Sequence, residues 1–182
     1  MKTLLLGLGN PILTDDSVGI RLATDIAAGL GARPGLDAVP DCPAGGLGLL
    51  EVLSGYERVI VLDSIRTAGG VPGEWHRFTA ESLRETVHLS CVHDANFATV
   101  LELGRRMGRP LPPDGEIHIF AVEVEENETF GEALSPSVAE GYPRILEEVA
   151  GEIRRLLENP PALTPGGPRS RTEGTRSSGN GT

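Results

Sequence analysis

Apolar residues along the chain switch between short unbroken runs and a spacing of nearly four, and this switching predicts the order of elements. Leu4, Leu5 and Leu6 form a run too short for a helix, and Gly7-Leu8-Gly9-Asn10-Pro11 breaks it, so Thr3–Gly9 reads as a first strand. Val18, Leu22, Ile26 and Leu30 then recur every fourth residue, with Ala23 and Ala27 beside them. They are one face of a helix from about Asp16 to Leu30, closed by Gly31, with Asp15 expected as its N-cap. Leu36–Pro40 is a weak second strand, and Leu49, Leu50 and Leu53 mark a short helix over 47–53. Arg58–Asp63 is the clearest strand. Its branched run Val59-Ile60-Val61-Leu62 suggests burial on both faces, as in a parallel sheet, and it ends on an acid.

The second half repeats the alternation. A loop with several glycines, Ser64–Gly73, leads to a strand over Glu74–Phe78. It follows the third strand with no helix between, which predicts an antiparallel strand at an edge. One or two helical turns follow over Thr79–Glu85. A helix then opens near Cys91-Val92-His93-Asp94, sets Phe97, Val100, Leu101, Gly104 and Met107 on one face, and ends at Gly108-Arg109-Pro110. Glu116–Val124 is the last strand, alternating around Ile117, Ile119 and Phe120, and Glu123 to Glu128 reads as an acidic loop. The final helix spans about Ser137 to Leu157, with Pro143 in its first turn or kinking it. Strands alternating with helices predict a three-layer α/β domain with a mostly parallel sheet, over residues 1–158. From 159 to 182 the chain is Pro, Gly, Ser, Thr and Arg with almost nothing apolar, the composition of a disordered tail.

Charge narrows the function. The formal net charge is −10, and the tail is basic, so the expected domain is more acidic than the whole. An acidic body repels phosphates, which argues against a nucleic-acid partner and suits a cation or a basic protein. Cys42 and Cys91 stand far apart in no metal-like spacing and read as thiols in a reducing cytoplasm. No apolar run is long enough to insert in a membrane, and Met1-Lys2-Thr3 leads straight into a strand with no signal peptide.

The candidate chemistry lies where strands end. Right-handed crossovers set the first and third strands side by side and parallel, so Asp16 after one and Asp63 ending the other converge on one crevice. His93 opens a helix whose preceding loop can reach the same rim. Asp, Asp and His with open positions suit a divalent transition metal, nickel and zinc among them. Each also has a plainer reading: acids favour helix starts, and a histidine beside an aspartate is often a simple hydrogen-bonded pair. His76, His88 and His118 lack even that context. Gly7-Leu8-Gly9 fits a dinucleotide-binding fingerprint poorly, because Ile12 stands where its third glycine belongs.

The ordered set of motifs resembles one family. Gly7-Leu8-Gly9-Asn10, then Asp15-Asp16-Ser17-Val18-Gly19, looks like the opening of the NiFe-hydrogenase maturation endopeptidases. So do Leu62-Asp63 before Gly69-Gly70-Val71-Pro72-Gly73, His93 opening a helix, and Phe130-Gly131-Glu132 with Leu134-Ser135 after the last strand. The resemblance spans about Lys2 to Leu157. It implies a twisted, mostly parallel five-stranded sheet between helices, in the phosphorylase/hydrolase-like class. It also implies a cytoplasmic endopeptidase whose partner is the hydrogenase large-subunit precursor, from which it removes a C-terminal extension after nickel insertion. The family's metal-site residues map onto Asp16, Asp63 and His93. The nickel would be the substrate's, or another divalent metal would stand in for it, while Gly9 and Asn10 would position the extension. The resemblance assigns no separate catalytic residue. Two departures are Asp41-Cys42-Pro43-Ala44-Gly45-Gly46, whose acid stands farther from the glycines than in many members, and Ser90-Cys91-Val92 before His93.

Two other readings remain open at this point. A peptidyl-tRNA hydrolase also opens on a strand and Gly-Leu-Gly-Asn-Pro, but expects a histidine soon after, where this chain has Thr14-Asp15-Asp16-Ser17. A non-catalytic, nickel-dependent docking protein for the large subunit would carry the same metal site without cleavage.

Overall fold

The computed structural model describes residues 1–43, 46–85 and 92–159, with 83–85 and 92–96 described by backbone alone. Five strands form one sheet: β1 (Thr3–Gly7), β2 (Leu36–Val39), β3 (Arg58–Ile65), β4 (Trp75–Thr79) and β5 (Ile117–Glu123). Their order is β2-β1-β3-β5-β4. β1 pairs in parallel with β2 and β3, and β3 with β5, while β4 runs antiparallel to β5 at the edge. The expected edge strand is therefore present, and its neighbour is β5.

The helices cover both faces. α1 (Val18–Leu30) and α5 (Pro136–Glu158) lie on one, and α2 (Leu47–Leu53) and α4 (Val92–Arg106) on the other; α3 (Ala80–Glu85) follows β4. Strand alternation explains the two cores. Ile60 and Leu62 of β3 pack with Val18, Leu22 and Ile26 of α1 and Val138, Ile145 and Val149 of α5. Val59 and Val61 face the other way, with Leu49, Leu50 and Leu53 of α2 and Phe97, Val100 and Leu101 of α4. Parallel strands covered on both faces read as unbroken apolar runs, which is why β1 and β3 are the plainest elements in the sequence.

Several expectations are corrected. α1 starts at Val18, after a 3₁₀ turn over Thr14–Ser17, and Asp15 does not cap it: Ser17 holds the N-cap position and makes no side-chain capping bond. β3 continues past Asp63 to Ile65, because β5 continues beside it as far as Glu123. β5 is buried along its whole length, having a strand on either side and helices above and below, so Glu123 is a buried strand end and does not belong to the acidic loop. Met107 is exposed, one residue past the end of α4. Pro143 lies well inside α5, whose first helical position is taken by Pro136. The expected tail lies outside the described residues from Pro160 onward, as do His88 and Cys91. Among the described residues no helix is long and apolar enough to cross a membrane.

Candidate functional site

Connections from β1 and β3 leave the sheet in opposite directions. β1 leads through α1 to β2 on one side, and β3 leads by way of β4, α3 and α4 to β5 on the other. In an open α/β sheet that divergence leaves a crevice beyond the carboxyl ends of the two strands. β1 stops at Gly7, opposite Leu62, so Asp63 is the first β3 residue beyond the β1–β3 pairing.

Asp16 and Asp63 meet there through one residue. Both are almost wholly buried, each 3% exposed. The Ser64 hydroxyl donates to Asp16 Oδ1 at 2.7 Å, and the Ser64 backbone N–H donates to Asp63 Oδ1 at 2.8 Å. The two buried carboxylates are thus bound to one serine, Asp63 through its backbone and Asp16 through its side chain. Sequence reasoning missed Ser64. Its only signal is position: it follows the strand-end acid, so it points to the opposite sheet face, and beyond the end of β1 its hydroxyl meets Asp16.

Gly9 is required by the turn. Its φ is 132°, and a Cβ there would sit 1.9 Å from the Asp16 carbonyl oxygen, so the β1 loop can lie on Asp16 only with glycine at this position. Asn10 closes the same loop as an Asx turn: its Oδ1 accepts the Ile12 N–H at 3.2 Å and its backbone carbonyl accepts the Leu13 N–H at 3.1 Å.

Asp15, beside Asp16 in sequence, does different work. It is fully buried, and its carboxylate accepts the Ser135 N–H at 2.6 Å, the Ser135 hydroxyl at 2.7 Å and the Glu126 N–H at 3.2 Å. It ties the 3₁₀ turn to the segment joining β5 to α5. Glu123, which the sequence set both at the end of the last strand and at the start of the acidic loop, is a further buried carboxylate. It accepts the Thr67 N–H, and the Thr67 hydroxyl lies 3.1 Å from each of its oxygens. Its backbone carbonyl accepts the Gly73 N–H at 2.9 Å, so Glu123 holds the loop after β3 at both ends.

His93 is the second residue of α4, whose Phe97, Val100 and Leu101 pack on the sheet face that alternation assigns to Asp63. The His93 side chain lies outside the described residues, and among the described residues no group of three or more His, Cys, Asp and Glu is arranged to hold a metal. Asp16 and Asp63 thus share Ser64 as a partner, and His93 is described by its backbone alone.

Comparison with known proteins defines the class first. The fold is similar to HybD, the hydrogenase maturating endopeptidase of E. coli, with a TM-score of 0.66 at 22% identity over 85% of this chain and 93% of that one. It is also similar to the NiFe hydrogenase maturation protease HybD of Thermococcus kodakarensis (TM-score 0.61, 23% identity, 84% and 99% covered). HycI of the same organism gives 0.58 at 18% identity, with 84% and 92% covered. At these identities the likeness establishes the fold: a mostly parallel five-stranded α/β sheet shared with maturation endopeptidases. No curated protein matches the sequence. The family model HycI, hydrogenase maturation protease, matches residues 34–152, more than half of the chain. The chain therefore belongs to the hydrogenase maturation protease family, and it is a peptide-bond hydrolase of that family rather than a peptidyl-tRNA hydrolase.

Proposed function

We propose that this protein removes the C-terminal extension of a nickel-iron hydrogenase large-subunit precursor once nickel has been inserted, and that Asp16, Asp63 and His93 recognise the nickel centre of that substrate. The observation that carries this reading is the buried Asp16–Ser64–Asp63 constellation at the β1–β3 crevice, in a chain of this family. Its donor chemistry fits. Carboxylates add negative charge to a site for a divalent ion, and an imidazole from the start of α4 would complete a set suited to nickel. Zinc, or another divalent ion, would stand in where nickel is absent.

Binding the nickel centre would do two things. It would restrict cleavage to precursors already loaded, because an empty precursor presents no ion to the carboxylates. It would also hold the scissile peptide against the crevice, where a metal ion would supply polarisation of the carbonyl or activation of a water. Gly9 and the side-chain amide of Asn10 would position the extension. The protease domain in this reading is residues 1–158, and the site of action is the cytoplasm.

The test uses nickel-loaded precursor and mass spectrometry of the products. Wild-type protein should release a single C-terminal peptide, and Asp16→Ala, Asp63→Ala and His93→Ala should release none while remaining folded. Binding of the precursor without cleavage by the wild type would return the function to docking.

A further inference from the structure

Residue 64 is a serine where the sheet calls for an apolar side chain. It lies on the α1 and α5 face of β3, in line with Ile60 and Leu62 and directly opposite Val122 of β5. Those three are fully buried, and Ser64 is itself only 2% exposed. A hydroxyl in such a place costs stability unless it is hydrogen-bonded. This one donates to Asp16 Oδ1 at 2.7 Å.

The two bonds from Ser64 to the acids differ in what they require of the residue. Asp63 Oδ1 accepts from the backbone N–H, which any residue but proline supplies. Asp16 Oδ1 accepts from the side chain, which must be short and carry a donor. Residue 64 therefore governs Asp16 through its side chain and leaves the bond to Asp63 unchanged.

The frame around the Asp16 bond is closely fitted. A Cβ on Gly19 would lie 2.5 Å from the Leu8 and Leu62 carbonyl oxygens and 2.8 Å from Asp63 Cα. Glycine there lets the first turn of α1 rest directly on β3 beside Asp63. From the other side, the β1 loop lies on the Asp16 carbonyl at Gly9. Backbone contacts thus fix where the Asp16 side chain begins, and the Ser64 hydroxyl fixes where its carboxylate points.

We propose that Ser64 is a positioning residue for nickel recognition. Its hydroxyl holds the Asp16 carboxylate in the orientation that meets the nickel centre of the precursor, and so sets how sharply loaded and empty precursor are told apart. The proposal rests on the metal-recognition reading given above and adds a residue that acts through Asp16. Groups that hydrogen-bond a metal's ligands fix the orientation of those ligands, and their loss typically lowers affinity or activity about 10–100-fold. A serine that only satisfied a buried acid would affect stability and leave that discrimination unchanged.

The experiment measures Kd for nickel-free and nickel-loaded large-subunit precursor and takes the ratio of the two. Ser64→Ala removes the hydroxyl. Ser64→Thr and Ser64→Val place two side chains of one shape at the site, of which only threonine carries a hydroxyl, and β-branched residues suit a strand. This pair carries the test if the alanine variant does not fold. Urea titration reads folding and stability separately. The ratio should fall about 10–100-fold in Ser64→Ala and Ser64→Val and stay within about threefold of wild type in Ser64→Thr. Asp16→Asn should lower it too, and adding Ser64→Ala to Asp16→Asn should lower it no further. A folded Ser64→Ala variant with the wild-type ratio overturns the proposal, as does a Ser64→Thr variant no better than Ser64→Val, or effects of Ser64→Ala and Asp16→Asn that add in full. In those cases the wild type still prefers loaded precursor, and the reading beneath the proposal stands. A wild type that binds loaded and empty precursor equally overturns both.

Discussion

Asp15 and Asp16 are neighbours with different partners, and Asp15→Ala tests the structural one. The Asp15 carboxylate is fully buried and accepts three bonds, two from Ser135 and one from the Glu126 N–H. A hydrogen bond to a charged group contributes about 1.5–3 kcal/mol net. The three do not simply add, since the Ser135 hydroxyl has another partner in Ser137 Oγ at 3.3 Å. Two backbone N–H groups would be left without this acceptor, and the joint between the 3₁₀ turn and the start of α5 would loosen. Together these effects put the loss for Asp15→Ala at about 3–4 kcal/mol. For a chain of this size each kcal/mol lowers Tm by roughly 2–4 °C, so the melting point should fall by about 6–16 °C. Asp15→Asn keeps one acceptor and should lose about half as much. Circular-dichroism melts and urea titrations at neutral pH read the effect directly. Asp16→Asn should shift stability by less than about 1.5 kcal/mol and abolish precursor cleavage. An Asp15→Ala variant within about 1 kcal/mol of wild type would refute the structural assignment of Asp15.

Three further substitutions extend the account. Asp63→Asn keeps the shape of the site but removes a charge, and precursor cleavage should fall by more than about a hundredfold, a larger loss than outer-shell changes at metal sites produce. Glu123→Gln weakens the acceptor that holds Thr67, so it should cost about 1–2 kcal/mol in a urea titration and increase proteolysis within the loop after β3. Burial lowers the His118 pKa to about 4, helped by Arg77 and Arg58, and neither ring nitrogen has a hydrogen-bond partner. The unfolded chain therefore binds this proton more readily than the folded one. The stability that goes with a neutral His118 is complete above about pH 6.5 and is lost as the pH falls toward 4. His118→Leu should show a smaller drop in urea midpoint between pH 7.5 and pH 5 than wild type; an equal drop would mean that His118 contributes nothing to the acid sensitivity.

The parts of the fold legible in the sequence are those set by local pattern. β1 and β3 are apolar runs because helices cover both faces of the sheet, and α1 shows a clean four-residue spacing because only one of its faces meets the core. Asp63 stood out for the same reason, as a carboxylate ending a run that water does not reach. What stayed hidden depends on contacts made across long stretches of chain. Asp15 looks like a helix cap by position, but its partners lie more than a hundred residues away. Glu123 looks like one acid among several in a loop, and only its pairing with Ile65 shows it to be a buried strand end. Ser64 carries no signal of its own, because its role depends on which face of β3 it occupies. The bridge between Leu13 and Phe130 is invisible for a similar reason: nothing in either segment says that the two will pair.

The central claim is that the Asp16–Asp63 crevice reads the nickel centre of a large-subunit precursor before cutting it. The most direct measurement incubates wild type and Asp63→Ala with the precursor, nickel-loaded and nickel-free, and weighs the products. The account predicts a released C-terminal peptide in one case only, wild type with loaded precursor. Normal processing by a folded Asp63→Ala variant, or equal cleavage of the nickel-free precursor, would contradict it.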